Sequence, residues 1–175
     1  CGYNRIQQLD EAAAKAKQNI SVQLQRRADL VPNLVETVKG YAKQEAEIFE
    51  AVAQARGALA GAVSSGNLGQ MSSASTQLNG ALGRLLAISE SYPQLKSNEN
   101  FIRLQDELAG TENRIGVART DYNTTVNEYN TYIRTFPAVL TAKVMGSAAR
   151  EYFELADKAA AAPPKVDFSQ PAKKP

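Results

Sequence analysis

The chain has 175 residues, of which 43% are hydrophobic, and its 20 basic and 18 acidic side chains leave a net charge of +2. That length fits a single domain with a real core, and the composition argues against both disorder and a membrane-embedded bundle. The basic residues form no patch or stripe, so nucleic acid is not an expected partner. The chain has no His and only one Cys. It therefore lacks the side chain best suited to proton transfer near neutral pH and cannot build a multi-thiolate metal site.

Apolar residues recur every three or four positions from about residue 3 to residue 136, a pattern typical of amphipathic helices. The first stripe comprises Ile6, Leu9, Ala13, Ala16, Ile20, Leu24 and Arg27. The second comprises Leu34, Val38, Tyr41, Glu45, Ile48, Val52, Ala55 and Leu59. Pro32 stands between them, where it either begins a second helix or bends one rod of roughly 90 Å. We predict a hairpin at Asp29–Pro32, because a hairpin gives every apolar stripe a partner.

Two more helices are predicted after the connection at Ser64–Gly69. The third, from Met71 to Tyr92, carries an inner side of Leu78, Leu82, Leu85 and Ile88. Asn98 offers an N-cap for the fourth, and Pro137 ends it. The fourth has a strict 3-4 seam, which predicts knobs-into-holes packing. That seam comprises Phe101, Leu104, Leu108, Thr111, Ile115, Ala118, Tyr122, Thr125, Tyr129, Tyr132 and Phe136.

The predicted fold is therefore all-α. We expect an antiparallel up-and-down four-helix bundle of long helices, with a short C-terminal capping helix at Ala138–Met145. Residues 1–158 are predicted to form this bundle. Residues 159–175, rich in Pro, Lys and Ala, are predicted to form a tail that is flexible or lies over the surface.

Cys1 suggests a membrane tether. A mature bacterial lipoprotein begins at a Cys that carries the lipid, although an N-terminal Cys can also be left by cloning. No apolar run approaches the roughly 20 residues needed to span a bilayer. We predict lipid attachment at Cys1, because several acyl chains on one Cys would hold the protein firmly at a membrane. Gly2 stands where Asp would signal inner-membrane retention in enteric bacteria, which favours the outer membrane.

Several segments resemble a known family. They are RRADLVPNLVETVKGY (26–41), YPQLKSNENF (92–101), GTENRI (110–115), ARTDYN (118–123), YN (129–130), FP (136–137) and PKVDF (164–168). Together they resemble the LemA family of bacterial envelope proteins in order along nearly the whole chain. The resemblance implies a helical bundle held at a membrane by an N-terminal segment, usually a transmembrane helix. This chain begins instead at Cys1, and Gln44 precedes Glu45 where the family often has His-Glu.

Three groups of polar residues are candidates for a site. Glu45 lies on an apolar stripe and needs a basic partner, for which Arg114 and Arg119 are candidates. The alternative is that Glu45 handles a proton or a ligand. Tyr122-Asn123 and Tyr129-Asn130 repeat at an interval of seven residues, which predicts buried tyrosines with bonded hydroxyls more than a cofactor site.

Arg26 and Arg27 precede the predicted hairpin, where they could bind an anion, end the first helix or pair with a carboxylate. If Cys1 lies at the membrane, this hairpin and the connection at Tyr92–Asn100 meet at the far end. The Ser64–Gly69 loop and Phe136–Met145 would then face the membrane. We predict a docking site or a tightly packed corner at the far end, comprising Arg26, Arg27, Asp29, Glu99 and Asn100.

No Walker loop, dinucleotide motif, nucleophile elbow or metal-ligand spacing is present, so we predict no cofactor, no metal, no small-molecule substrate and no enzyme. The leading hypothesis is a periplasm-facing, lipid-anchored scaffold or adaptor that binds an envelope protein. The first alternative is a homo-oligomeric structural element of the cell envelope, in which long helices associate side by side. The second alternative is an enzyme with an Arg/Tyr/Glu site.

Overall fold

Helices form nearly all of the regular structure in the computed structural model, which describes residues 2–154. No strand occurs in this range, so the predicted all-helical fold is confirmed. Its elements are α1 (Gly2–Lys39), α2 (Ala46–Ser65), α3 (Leu68–Ile88), a 3-10 turn (Ser89–Ser91), α4 (Pro93–Lys96), α5 (Glu99–Tyr132) and α6 (Ala138–Met145). Cys1 and the predicted tail at 159–175 lie outside the described residues. Between residues 2 and 154, no helix is both long enough and apolar enough to cross a membrane.

The predicted hairpin at Asp29–Pro32 is wrong, because α1 continues through Pro32 as one helix of 38 residues. A proline inside a helix removes the hydrogen bond to the carbonyl four residues earlier. In this chain that carbonyl belongs to Ala28, and it accepts a hydrogen bond from Nε of Arg56 on α2 at 3.1 Å. The first reversal of the chain lies instead at 40–45. The predicted first helix therefore continues to Lys39 as one rod of about 57 Å. The second helix, α2, begins only at Ala46.

The longest helices, α1 and α5, run antiparallel. Near the start of α1, Ile6 packs in a small core with Tyr129 and Ile133 at the end of α5. At the other end, the amide of Asn98 donates to the hydroxyl of Tyr41 at 3.0 Å. The contacts at both ends align the two helices over nearly their whole length.

A shorter pair, α2 and α3, packs along only part of α1. The turn between them uses Gly66 in the left-handed region (φ 69°), and Asn67 caps α3 by accepting a hydrogen bond from the amide of Gln70 at 2.9 Å. This turn lies beside Lys17 of α1. Fifteen residues separate Lys17 from Gly2, which is about 22 Å of helix. The sequence had suggested that the Ser64–Gly69 loop lies at the Gly2 end of α1. The structure places this loop further along α1 instead.

The predicted seam of α5 is correct for its first six turns and then shifts. Every predicted position from Phe101 to Tyr122 is buried, and Asn98 caps the helix as expected by accepting from the amide of Phe101. Beyond Tyr122, the fully buried positions include Val126 and Ile133 instead of Thr125 and Tyr132. A straight helix rotates about 20° per heptad relative to a 3.5-residue repeat, so five heptads displace the seam by about one residue.

The short helix α6 forms at the predicted residues and packs against α1. It ends at Gly146 in the left-handed region (φ 67°), after which residues 147–154 run without regular secondary structure. We call residues 147–154 the strap. Its Phe153 is buried in the main core, and its Glu154 carbonyl accepts a hydrogen bond from Ser72 on α3.

Candidate functional site

The structure does not gather the five residues of the predicted distal corner. Arg26, Arg27 and Asp29 lie in the middle of α1, because the chain does not turn there. Arg27 is 7% exposed and pairs with Glu112 of α5. Thirteen residues separate Glu112 from Glu99, so Glu99 and its exposed neighbour Asn100 lie about 20 Å further along. The far end is built instead from the 40–45 turn and the connection before α5, and docking there stays a prediction.

A groove of about 460 Å³ runs beside Arg26, between α1 and α5. Arg103 and Arg114 line it together with Asp106 and Glu107. All three guanidinium groups are exposed, and two carboxylates offset them. Exposed charges interact only weakly through water, so the groove has the character of a solvated charged surface.

The candidate pairing of Glu45 with Arg114 or Arg119 does not form. Glu45 is half-buried just before α2, at the end of the molecule where Asn98 meets Tyr41. Sixteen residues separate Asn98 from Arg114, which places that guanidinium about 24 Å away along α5. Arg119 lies with its guanidinium 5.8 Å from the centre of the Phe153 ring. The buried cation that needs a carboxylate is Arg27, which the sequence had placed on the first apolar stripe.

The repeated Tyr-Asn pairs of α5 hold the strap. Both tyrosines are buried, as predicted, and their hydroxyls donate to backbone carbonyls. The hydroxyl of Tyr122 donates to the carbonyl of Glu151 at 2.8 Å, and that of Tyr129 to the carbonyl of Ala148 at 3.2 Å. Burial raises the pKa of the Tyr122 hydroxyl against the opposing charge of Arg150, so the hydroxyl keeps its proton and remains a donor.

Each asparagine makes two hydrogen bonds to one strap residue. The amide of Asn123 donates to the carbonyl of Phe153 at 3.1 Å and accepts from its N–H at 2.8 Å. The amide of Asn130 donates to the carbonyl of Arg150 at 2.9 Å and accepts from its N–H at 2.8 Å. We call Tyr122, Asn123, Tyr129 and Asn130 the Tyr–Asn ladder. Nothing in the sequence marked its partner, although an Asn repeated on a buried face signals that a partner is required.

One side chain of the strap reaches α1. Nε of Arg150 donates to Asp10 at 2.8 Å, and this hydrogen bond is the main reason that the pKa of the guanidinium is raised. The strap is therefore tied to α1, α3 and α5. Across the described residues, no group of His, Cys, Asp and Glu side chains could hold a metal ion.

Four large hydrophobic side chains are exposed where α6 meets the start of α1. Their exposed fractions are 56% for Tyr3, 76% for Phe136, 57% for Leu140 and 91% for Val144. We call these four residues the apolar end. The predicted burial of Phe136 in the α5 seam is thus wrong, because α5 ends at Tyr132 and Phe136 lies in the following turn.

The geometry of α6 explains why these side chains are exposed. Leu140 and Val144 are four residues apart and share one face, whereas Ala138 and Ala142 are buried on the opposite face. The small alanines let α6 lie close to α1: a Cβ added at Gly2 would come within 3.4 Å of the Thr141 hydroxyl oxygen. The larger side chains therefore point away from the protein.

The sequence profile of the LemA family matches residues 16–168. The chain belongs to the LemA family. This match confirms the resemblance carried by the motifs at 26–41, 92–101 and 110–123.

Three relatives are similar over most of this chain. Magnetosome proteins MamQ 1 and MamQ 2 of Paramagnetospirillum magneticum (strain AMB-1) are each 29% identical over 178 residues, covering 87% of this chain and 64% of the relative. Magnetosome protein MamQ of Magnetospirillum gryphiswaldense (strain MSR-1) is 30% identical over 174 residues, covering 86% of this chain and 64% of the relative. This LemA-family chain thus spans less than two thirds of the length of the relatives that it matches.

Proposed function

We propose that this LemA-family protein is a non-enzymatic scaffold or adaptor that contacts a bacterial membrane through its apolar end. The carrying observation is the exposure of Tyr3, Phe136, Leu140 and Val144 together at one end of the molecule. A cluster of exposed apolar side chains marks a surface for protein or lipid. The names of its MamQ relatives contain no enzyme activity, which agrees with a non-catalytic role.

Two features favour a lipid surface as the partner of the apolar end. Exposed Arg5, Arg134 and Lys143 belong to the same segments of the chain, and basic residues beside apolar ones are attracted to anionic lipid headgroups. In addition, Gly2 lies against α6, so a lipid on the neighbouring Cys1 would enter the bilayer beside the apolar end. In this proposal the lipid and the apolar side chains act as two anchoring signals.

The rest of the bundle would then project from the membrane. In an up-and-down arrangement the long α1–α5 pair acts as a spacer of about 50 Å. The 40–45 turn would lie at its outer end together with Glu99 and Asn100, two residues of the predicted docking corner. We propose that an envelope protein docks there, with the bundle facing the periplasm.

Vesicle co-sedimentation tests the apolar end directly. The protein carries Cys1→Ser in every sample, so that no lipid on the chain masks the contribution of the side chains. A variant with Phe136→Ser, Leu140→Ser and Val144→Ser should bind phosphatidylglycerol-containing vesicles at least about tenfold more weakly, since each side chain contributes on the order of 1 kcal/mol when partly buried.

The chain provides a matched control for this experiment. Val22, Ile102 and Val117 are also exposed, at 51%, 43% and 61%, but they lie on α1 and α5 away from α6. Their triple substitution to Ser removes three exposed apolar side chains from the sides of the bundle and should leave vesicle binding unchanged. Equal binding by both triple variants would contradict the proposal.

A further inference from the structure

The Tyr–Asn ladder binds backbone groups of the strap. Six hydrogen bonds join its four side chains to N–H and C=O groups of the strap. The two asparagines are seven residues apart, about 10.5 Å along a helix, and they hold strap residues three apart, about 10 Å of extended chain. Because the two spacings match, each of the four ladder side chains meets a backbone group of a strap that runs antiparallel to α5.

Two strap side chains add sequence specificity. Arg150 reaches Asp10 of α1, and Phe153 enters the main core beside the guanidinium of Arg119. An occupant must therefore present Arg and Phe three residues apart in an extended chain. The Arg-x-x-Phe spacing occurs once in this sequence, at residues 150–153.

Most hydrogen bonds that hold the strap go to helices other than α6, the helix that precedes it in the chain. Hydrogen bonds of strap residues 148–154 go to α1, α3 and α5, whereas the first strap residue, Ser147, donates its N–H to the carbonyl of Ala142 on α6 at 2.9 Å. A strap from another molecule would therefore find the same partners. We propose that the ladder is a binding site for the strap of a second copy of this chain, so that molecules associate by exchanging residues 147–154.

Exchange also fits the part of the bundle that the strap covers. The α2–α3 pair reaches only as far as Lys17 of α1, so α1 and α5 continue beyond it without these helices. Over this stretch the hydroxyls of Tyr122 and Tyr129 donate to carbonyls of the strap. When the strap undocks, these buried polar groups need new partners, and the strap of a second molecule presents the same backbone groups. This inference concerns association between copies and does not depend on the membrane contact proposed above.

Cross-linking between two single-Cys proteins tests the exchange. Tyr152 and Asn127 are exposed, and the tyrosine hydroxyl lies 3.3 Å from Oδ1 of Asn127, so both report on strap docking without belonging to the ladder. In a Cys1→Ser background, Asn127→Cys protein and affinity-tagged Tyr152→Cys protein are refolded together from urea. They are then treated with a short bismaleimide cross-linker. The expected product is a covalent heterodimer, identified by its mass.

Two controls decide the outcome. Ile102→Cys replaces Asn127→Cys with a thiol near the other end of α5, and it should give at least tenfold less heterodimer. Adding Asn123→Ala and Asn130→Ala to the Asn127→Cys protein should reduce the heterodimer to that control level, because the acceptor ladder is lost. If heterodimer stays at the control level while Asn127→Cys/Tyr152→Cys in one chain cross-links internally, the strap docks only within its own molecule. That result overturns the proposal.

Discussion

Replacing Asn123 and Asn130 together with Ala should lower the free energy of unfolding by about 3–4 kcal/mol. Each substitution removes two hydrogen bonds to the strap backbone, and a hydrogen bond of this kind contributes about 1 kcal/mol net. For a chain of this size, such a loss lowers the melting temperature by roughly 6–16 °C. Urea denaturation followed by circular dichroism measures the change.

The strap itself should respond more strongly than the bundle. In the double Asn variant, hydrogen exchange at the amides of Arg150 and Phe153 should accelerate, because undocking of the strap no longer breaks the ladder bonds. Asn113→Ala is the matched control, since Asn113 is exposed on the same helix. If the double variant and this control differ by less than about 0.5 kcal/mol, the ladder does not hold the strap in solution.

Arg56→Met should cost about 1–2 kcal/mol in the natural sequence and much less when Pro32 is replaced by Ala. In the first background the buried carbonyl of Ala28 loses the donor that compensates for Pro32. In the second background the N–H of the new alanine can donate to that carbonyl, so Arg56 becomes dispensable. The coupling energy of this double-mutant cycle should therefore be at least about 1 kcal/mol.

Thermal or chemical unfolding of the four proteins in the cycle measures this coupling energy. Arg84→Met is a suitable control, because Arg84 is exposed on α3. It should change stability by less than about 0.5 kcal/mol in both backgrounds. An Arg56→Met effect of the same size with and without Pro32 would show that the guanidinium does not compensate for the proline.

The position of Pro32 shows why the helix boundaries could not be predicted from the sequence. The local pattern fits either a turn before a second helix or a proline within one rod, and steric preference favours the turn. The choice depends on Arg56, which lies 24 positions later and satisfies the freed carbonyl. A contact of this kind has no periodic signature. The recurrence of apolar residues at every third or fourth position nevertheless predicted most of the buried side of α1, from Ile6 to Leu24.

The candidate site shows the same division between local and tertiary information. Burial of Tyr122 and Tyr129 followed from their spacing, but an extended strap held by side chains leaves no repeat to detect. The predicted corner depended on the hairpin and was lost with it. Phe136 was assigned to the core by extending a 3.5-residue seam past the end of α5, whereas it lies in the turn before α6 and is exposed.

Membrane contact by the apolar end is the central claim, and fluorescence tests it most directly. The chain contains no Trp, so Phe136→Trp introduces one indole at the apolar end, and Val117→Trp provides an exposed control on α5. In Cys1→Ser protein mixed with phosphatidylglycerol-containing vesicles, the Phe136→Trp emission should shift to the blue and be quenched by brominated acyl chains. The Val117→Trp emission should not change. Unchanged emission from Phe136→Trp, or equal shifts at both positions, would contradict membrane contact through this end.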